Sequence, residues 1–248
     1  MKLISIIIAT YNASKVIERC LDSILKQKCP EIELIIVDGK SNDNTIELIE
    51  KRKNDVDIII SEPDKGIYDA WNKGIQRANG QYIMFIGADD KLFNNVLIDY
   101  VNFIKENDTK DIQIITAKSR YVDCNGKLIK IIGEPFSHKK HKLNMRIAHG
   151  TTLHNINLFK TYGLFDLRYK VCADYEFFMR IGEVKSLFFN KEIMNFQIGG
   201  ASFSTKCLKE TFNIRKRYNS IPIFLNYIVF CKRYITLQVK KIIYRTNE

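Results

Sequence analysis

Much of what this 248-residue chain implies comes first from what it lacks. No run reaches the ~18–20 apolar residues that a membrane-spanning helix needs. The first apolar stretch, Leu3–Ala9, is too short for a secretory leader and leads into Thr10-Tyr11-Asn12 rather than a cleavage site. The six cysteines (Cys20, Cys29, Cys124, Cys172, Cys207, Cys231) contain no C-x-x-C pair. That argues against a zinc site or disulfide framework and for reduced thiols, so a cytoplasmic location is expected. No G-x-G-x-x-G follows an apolar run, which excludes a dinucleotide-binding oxidoreductase. Internal repeats and low-complexity segments are also missing.

Acidic residues are scarce near the C-terminus. From Lys206 to Glu248 ten Lys and Arg face only Glu210 and Glu248, so this segment carries +8 of the net +11. Between the basic clusters Arg215-Lys216-Arg217 and Lys232-Arg233 lies the aliphatic and aromatic run Ile221–Phe230. Apolar segments with basic flanks suit the cytoplasmic face of a membrane. The alternative is a helix packed on the core with a solvated basic face; nucleic-acid binding is disfavoured and no nucleic-acid partner is expected. The expected organisation is one domain over 1–205 and a basic, apolar helical extension over 206–248.

What is present begins with an alternation of strand and helix patterns. Apolar runs at Leu3–Ala9, Glu33–Val37, Val56–Ile60 and Gln81–Ile86 predict strands, and Lys15–Lys28, Asp43–Lys53 and Gly66–Asn79 predict helices between them. Ser14 is a credible N-cap for the first helix, and Asp43 for the second. This rhythm implies βαβ units and a parallel sheet. The pattern then loosens. A helix is expected at Phe93–Glu106, a strand at Asp111–Ala117, a hairpin turning at Asp123-Cys124-Asn125-Gly126, a solvated loop at Ser137–Lys142 with His138 and His141, a helix at Ala173–Ile181, and short strands at Leu187–Phe189 and Ile193–Ile198. The fold class is therefore α/β, with a nucleotide-binding half-sheet flanked by helices, a mixed substrate-shaping half and a helical C-terminal tail.

Polar clusters follow each of the first four strands: Thr10-Tyr11-Asn12, Asp38, Ser61-Glu62-Pro63-Asp64-Lys65-Gly66, and Asp89-Asp90. The strand ends of an open α/β sheet are where ligands bind. Adjacent carboxylates beside a low-dielectric core repel one another, and a divalent metal carrying a phosphate group would offset that cost. An Asp capping the next helix is the simpler reading of one such pair; the succession of four clusters favours a site.

These residues resemble the family 2 inverting glycosyltransferases of the GT-A fold, in particular the bacterial surface-polysaccharide enzymes of the colanic-acid type. The resemblance rests on Ile7–Asn12, Val37–Thr45, Ser61–Ile75, Asp89-Asp90 and Ala173-Asp174-Tyr175-Glu176, in the family's order and spacing from residue 4 to about residue 182. It implies a nucleotide-sugar donor, commonly a UDP-sugar, and a divalent metal, Mn²⁺ or Mg²⁺. Thr10, Tyr11, Asn12 and Asp38 would line the base and ribose site. Asp64, Lys65, Gly66 and Asn72 would shape the nucleotide pocket, with Lys65 reaching a phosphate. Asp89 matches the metal-holding carboxylate of the D-x-D element; Gly87 replaces its first Asp, and Asp90 is placed to take over the lost contact. Asp174 matches the general base, with Glu176 a weaker alternative and Ala173 standing where the family has Glu. His149 would face the acceptor or the diphosphate, or else serve as a structural histidine. The implied activity is transfer of one sugar to a growing cell-surface glycan such as lipopolysaccharide or capsule. The acceptor would be lipid-linked and met at the cytoplasmic face of the inner membrane. The rivals are a non-catalytic nucleotide-sugar-binding module and a metal-dependent nucleotidyltransferase, whose Gly-rich loop is missing after the first strand.

Overall fold

A computed structural model describes residues 2–123 and 125–244, with side chains described as far as Val239. Cys124 of the expected hairpin turn lies outside the described residues. The chain begins β1 (Ile4–Thr10), α1 (Ile17–Leu25), β2 (Ile32–Asp38), α2 (Thr45–Glu50), β3 (Ile58–Ser61), α3 (Ile67–Ile75) and β4 (Tyr82–Gly87). It continues with β5 (Lys91–Leu92), α4 (Val96–Glu106), β6 (Ile114–Val122), β7 (Leu128–Ile132), α5 (His138–His141), β8 (Leu153–Asn155) and α6 (Ile156–Tyr162). The last elements are α7 (Ala173–Ile181), β9 (Ser186–Gln197), α8 (Thr205–Arg217) and α9 (Ile223–Tyr244).

Among the described residues one sheet runs β3-β2-β1-β4-β8-β6-β9-β5, with β7 paired to β6. The first four strands are parallel; β8 joins β4 antiparallel and begins the mixed half. A parallel sheet is covered on both faces, so its strands read as unbroken apolar runs. On β1, Ile4, Ile6 and Ile8 face Ile17, Leu21 and Ile24 of α1, while Ile7 and Ala9 face the opposite layer with Tyr68, Trp71 and Ile75 of α3. That second layer also holds Phe177 and Phe178 of α7, so α3 and α7 share one core. On the far side of α7, Cys172, Tyr175 and Met179 pack against Cys207 and Ile214 of α8.

Several local expectations change. Helix α1 starts at Ile17 with no side-chain cap, because the preceding segment is held from across the loop. There the Ala13 N–H donates to Thr45 Oγ1 and the Ser14 N–H to Asp43, so Ser14 is not the cap. Asp43 accepts from the Thr45 N–H at 3.1 Å, although Asn44 occupies the cap position itself. Helix α4 starts at Val96 rather than Phe93: just before it β5 pairs with β9, and the Phe93 N–H donates to Ile193 O at 2.8 Å. The two short strands near the end of the domain are one, β9, paired parallel to β6 with register shifts near Lys118. The Ser137–Lys142 segment is not a solvated loop. It makes a helical turn that buries His141 against Phe136 and Phe178, where desolvation lowers the imidazole's pKa.

Candidate active site

The register places the four strand ends side by side: Thr10 pairs with Asp38, Asp38 with Ser61, and Ala9 with Gly87. Asp38 is fully buried and organises two of the loops. Its Oδ2 accepts from the Ser41 N–H at 3.0 Å and the Ser61 hydroxyl at 2.7 Å, and its Oδ1 from the Ser41 hydroxyl at 2.5 Å. Asn12, in the left-handed region at φ 49°, locks the first loop to the second. Its N–H donates to Ser41 Oγ and its Oδ1 accepts from the Asn42 N–H, both at 2.8 Å. A Cβ on Gly39 would stand 2.4 Å from Asp64 Oδ2 and 3.3 Å from the Tyr11 ring, so glycine lets these two side chains close over the backbone. Tyr11 keeps 58% exposure and offers a ring face at the sheet edge. Asp64 Oδ1 accepts from the Gly66 N–H at 2.8 Å, and Gly66 at φ +114° turns the chain into α3.

Asn72 is buried, unlike Asp64, Lys65 and Gly66. Its amide donates to Phe165 O at 3.0 Å and accepts from the Phe165 N–H at 2.9 Å, tying α3 to the turn after α6. Both ends of its amide are thus engaged by the Phe165 backbone. The Lys65 N–H donates to Asp69 Oδ2, and the Lys65 carbonyl accepts from Lys170 Nζ at 3.1 Å.

At the end of β4, Asp89 and Asp90 fold back over Gly87. A Cβ there would lie 2.9 Å from Asp89 Oδ1 and 3.3 Å from Asp90 Oδ2, so the space of the absent side chain is filled by the two carboxylates converging. Burial pushes Asp90 up to about 7; the Gly87 N–H at 2.9 Å opposes the rise and the Asp89 charge adds to it. Arg19 reaches the corner by donating to the Asp89 carbonyl at 2.8 Å. Two carboxylates directed at one small volume suit a divalent cation, which would favour both in the ionised form. No group of three His, Cys, Asp or Glu capable of holding a metal occurs among the described residues. A cation here would therefore complete its oxygen shell from the diphosphate and water.

Asp174, the second residue of α7, is partly exposed. Its Oδ1 accepts from the Tyr175 N–H at 2.8 Å and the Tyr68 hydroxyl at 2.9 Å. Burial outweighs these bonds and raises its carboxyl to about 6. A general base works best when its pKa lies near the working pH, and this environment supplies that. Burial pushes the Tyr121 hydroxyl of β6 up to about 12, and the charges of Asp174 and Asp90 add to the rise. The sequence reading missed Tyr121; a half-buried aromatic on an alternating strand carries no local mark of its role. Glu176 has no free oxygen, since Arg180 and Tyr218 bind the two. His149 stacks on Phe85 at 5.2 Å and lies 5.1 Å from Trp71; burial lowers it to about 3 and keeps the ring neutral. His149 Nε2, Trp71 Nε1 and Thr10 Oγ1 are buried with no hydrogen-bond partner among the described residues.

The glycosyl transferase family 2 model matches residues 5–168, which cover β1 to α6 and all four strand-end clusters. The chain belongs to glycosyl transferase family 2. A PGL/p-HBAD biosynthesis glycosyltransferase of Mycobacterium bovis is 34% identical over 180 residues, 71% of this chain and 68% of that protein. Chondroitin synthase of Pasteurella multocida is 32% identical over 212 residues, which make 83% of this chain but 22% of the synthase. Among solved structures, S. aureus TarS 1–349 in complex with UDP-GlcNAc matches with a TM-score of 0.70 at 20% identity, over 100% of this chain and 74% of that one. The mannosyltransferase PcManGT of Pyrobaculum calidifontis, in complex with GDP-Man and Mn²⁺, matches with a TM-score of 0.65 at 16% identity, over 93% and 69%. At these identities the structural likeness establishes the GT-A-like fold. The glycosyltransferase has no helix among its described residues long and apolar enough to cross a membrane.

Proposed function

We propose that this glycosyltransferase moves one sugar from a nucleotide-diphosphate sugar, with UDP as the nucleotide, to a growing cell-surface glycan, and inverts the anomeric carbon. The observation that carries the reading is Asp174, a carboxyl raised to about 6 at the start of α7 and held there by the Tyr68 hydroxyl and the Tyr175 N–H. The Asp174 carboxylate takes the acceptor hydroxyl proton as that oxygen bonds to the anomeric carbon. The bond from that carbon to the diphosphate breaks in the same displacement, and no sugar becomes attached to the protein. Tyr11, Asn12, Asp38 and Asp64 shape the nucleoside end of the cleft, and Lys65 lies on the loop nearest a phosphate. Asp89, supported by Asp90, would hold Mn²⁺ or Mg²⁺, which neutralises charge on the leaving diphosphate. His149 stands as a neutral ring stacked on Phe85 of β4.

A lipid-linked acceptor follows from the C-terminal extension, residues 206–248. Helix α9 exposes Phe224, Tyr227, Ile228 and Ile235, and from Thr211 to Asn247 the chain has eight Lys or Arg and no acidic residue. Such a surface suits an anionic leaflet, which would set the enzyme at the cytoplasmic side of the membrane.

A panel of UDP-, GDP- and dTDP-sugars tested for metal-dependent thermal protection and nucleotide release examines the donor reading. Protection by a UDP-sugar with Mn²⁺ or Mg²⁺, lost in Asp89→Ala, is the expected result. If no nucleotide sugar protects the wild type and Asp89→Ala behaves identically, the donor site is misplaced. Asp174→Asn should keep donor binding and abolish transfer, and retained transfer would reassign the base.

A further inference from the structure

Asp174 stands second in α7, so its position is set by the segment that delivers the chain to that helix. Residues 170–172 belong to no strand or helix. Their amides converge on one carboxylate from the C-terminal extension. Glu210 Oε1 accepts from the Lys170 N–H at 2.9 Å, and Oε2 accepts from the Val171 and Cys172 N–H groups, each at 2.9 Å. Successive amides aimed at one point form an anion cradle, and here the anion is a side chain of α8. The opposite side of the segment is held as well. The Val171 carbonyl lies 2.8 Å from the Tyr68 hydroxyl, the same hydroxyl that contacts Asp174. Lys170 Nζ in turn donates to the carbonyl of Lys65 in the donor loop. One turn before Glu210, Cys207 places its sulfur 3.3 Å from that of Cys172, so α8 presents a continuous face to the segment. Residues 170–172, Cys207 and Glu210 all lie beyond residue 168, where the family match ends.

We propose that Glu210 is a positioning residue for sugar transfer: its carboxylate fixes the 170–172 segment and thereby the place of Asp174 relative to the donor. The proposal rests on the reading of Asp174 as the base. Glu210 binds no substrate itself. A tie that served stability alone would cost melting temperature and nothing else, whereas a positioning tie also sets the rate and its pH dependence. The ionisable groups around Asp174 are Tyr68 of α3, Tyr121 of β6, Cys172, and Cys207 and Glu210 of α8. The Glu210 charge is among the influences that push the Asp174 carboxyl upward.

Two variants of the full chain test this. Glu210→Gln keeps the shape and removes the charge and one acceptor; Glu210→Asp keeps the charge and withdraws it by one methylene. Amide hydrogen exchange at residues 170–172 should quicken at least ~10-fold in both, while the interior of α7 (177–181) stays protected, as local opening would require. Nucleotide release from the sugar donor chosen by the panel above should fall about 10-fold in kcat, with KM for that donor within about twofold. The acid limb of kcat should move to lower pH in Glu210→Gln and stay in place in Glu210→Asp. Unchanged exchange at 170–172 overturns the proposal, as does a wild-type kcat and acid limb in folded Glu210→Gln. Asp174→Asn is measured beside them. If it retains turnover, the base reading fails; if it is inactive while Glu210→Gln is normal, only the positioning role fails.

Discussion

Consider replacing Glu176 by glutamine and by alanine. Its side chain is 1% exposed and pairs with Arg180 at 3.0 Å, and the Tyr218 hydroxyl donates to its other oxygen at 2.5 Å. Arg217, 3.7 Å away and 42% exposed, adds little because solvent screens it. Removing one partner of a buried pair costs about 3–5 kcal/mol. Arg180 keeps the carbonyls of Tyr162 and Leu164, which places Glu176→Ala near the lower end. Glutamine preserves volume and one acceptor and forfeits the charge-assisted part, a loss of about 2 kcal/mol. For a chain of this size each kcal/mol lowers the melting temperature by about 2–4 °C. Thermal unfolding followed by circular dichroism should therefore show Glu176→Ala melting roughly 6–12 °C lower and Glu176→Gln roughly 4–8 °C lower. Below those temperatures Glu176→Gln should turn over within about tenfold of the wild type, because its oxygens face Arg180 and Tyr218 rather than an acceptor. A Glu176→Ala melt within ~2 °C of wild type would refute the bracing argument. A well-folded Glu176→Gln as inactive as Asp174→Asn would transfer the base role to Glu176.

Three further outcomes are expected. In Gly74→Ala the new Cβ would meet Ile7 Cγ2 at 2.4 Å, so overpacking of about 1–3 kcal/mol should exceed the gain in helix propensity, and combining it with Ile7→Ala should cost less than the sum. Strict additivity in urea unfolding would contradict that contact. Asn72→Ala leaves the buried Phe165 N–H and C=O without their partner and should destabilise by about 2–4 kcal/mol in the same assay, whereas a change under ~0.5 kcal/mol would show the tie is dispensable. Turnover should fall as pH drops below about 6, since Asp174 must be ionised to accept a proton and its pKa is raised to that value; a rate flat down to about pH 4.5 would exclude it as base.

The first four strands and the clusters at their ends were legible because strands buried on both faces read as apolar runs, and their ends as polar punctuation. Helix α7 was legible to the residue. The mixed half was harder for physical reasons. Strand β5 is two residues long and exists through its pairing with Asn195 and Met194, which no local pattern announces. Within β9 the polar stretch Asn190-Lys191-Glu192 looks like a break, yet Lys191 pairs with Asp99 and Glu192 with Arg120. His141 sits among Lys139, Lys140 and Lys142, and that charge concealed the one inward face of the turn. Glu210 was read only as a minority charge in a basic tail. Its contact with residues 170–172 spans about forty positions, and composition is blind to such a closure.

The sheet order gives the newborn chain a history. Strands β3, β2, β1 and β4 are all present by Gly87, but the other edge of β4 waits for β8, and the approach to Asp174 waits for Glu210. A ribosome adding about 5–20 residues per second needs roughly 6–25 s to pass from residue 87 to residue 210. Throughout that interval the parallel half of the sheet can exist without the contact that holds the approach to Asp174. Until residue 155 is added, Tyr82, Ile83 and Met84 have unpaired backbone groups on an apolar edge, the kind of edge that recruits foreign strands. A chaperone that shields β4 until residue 155 emerges would protect the molecule at its most vulnerable stage.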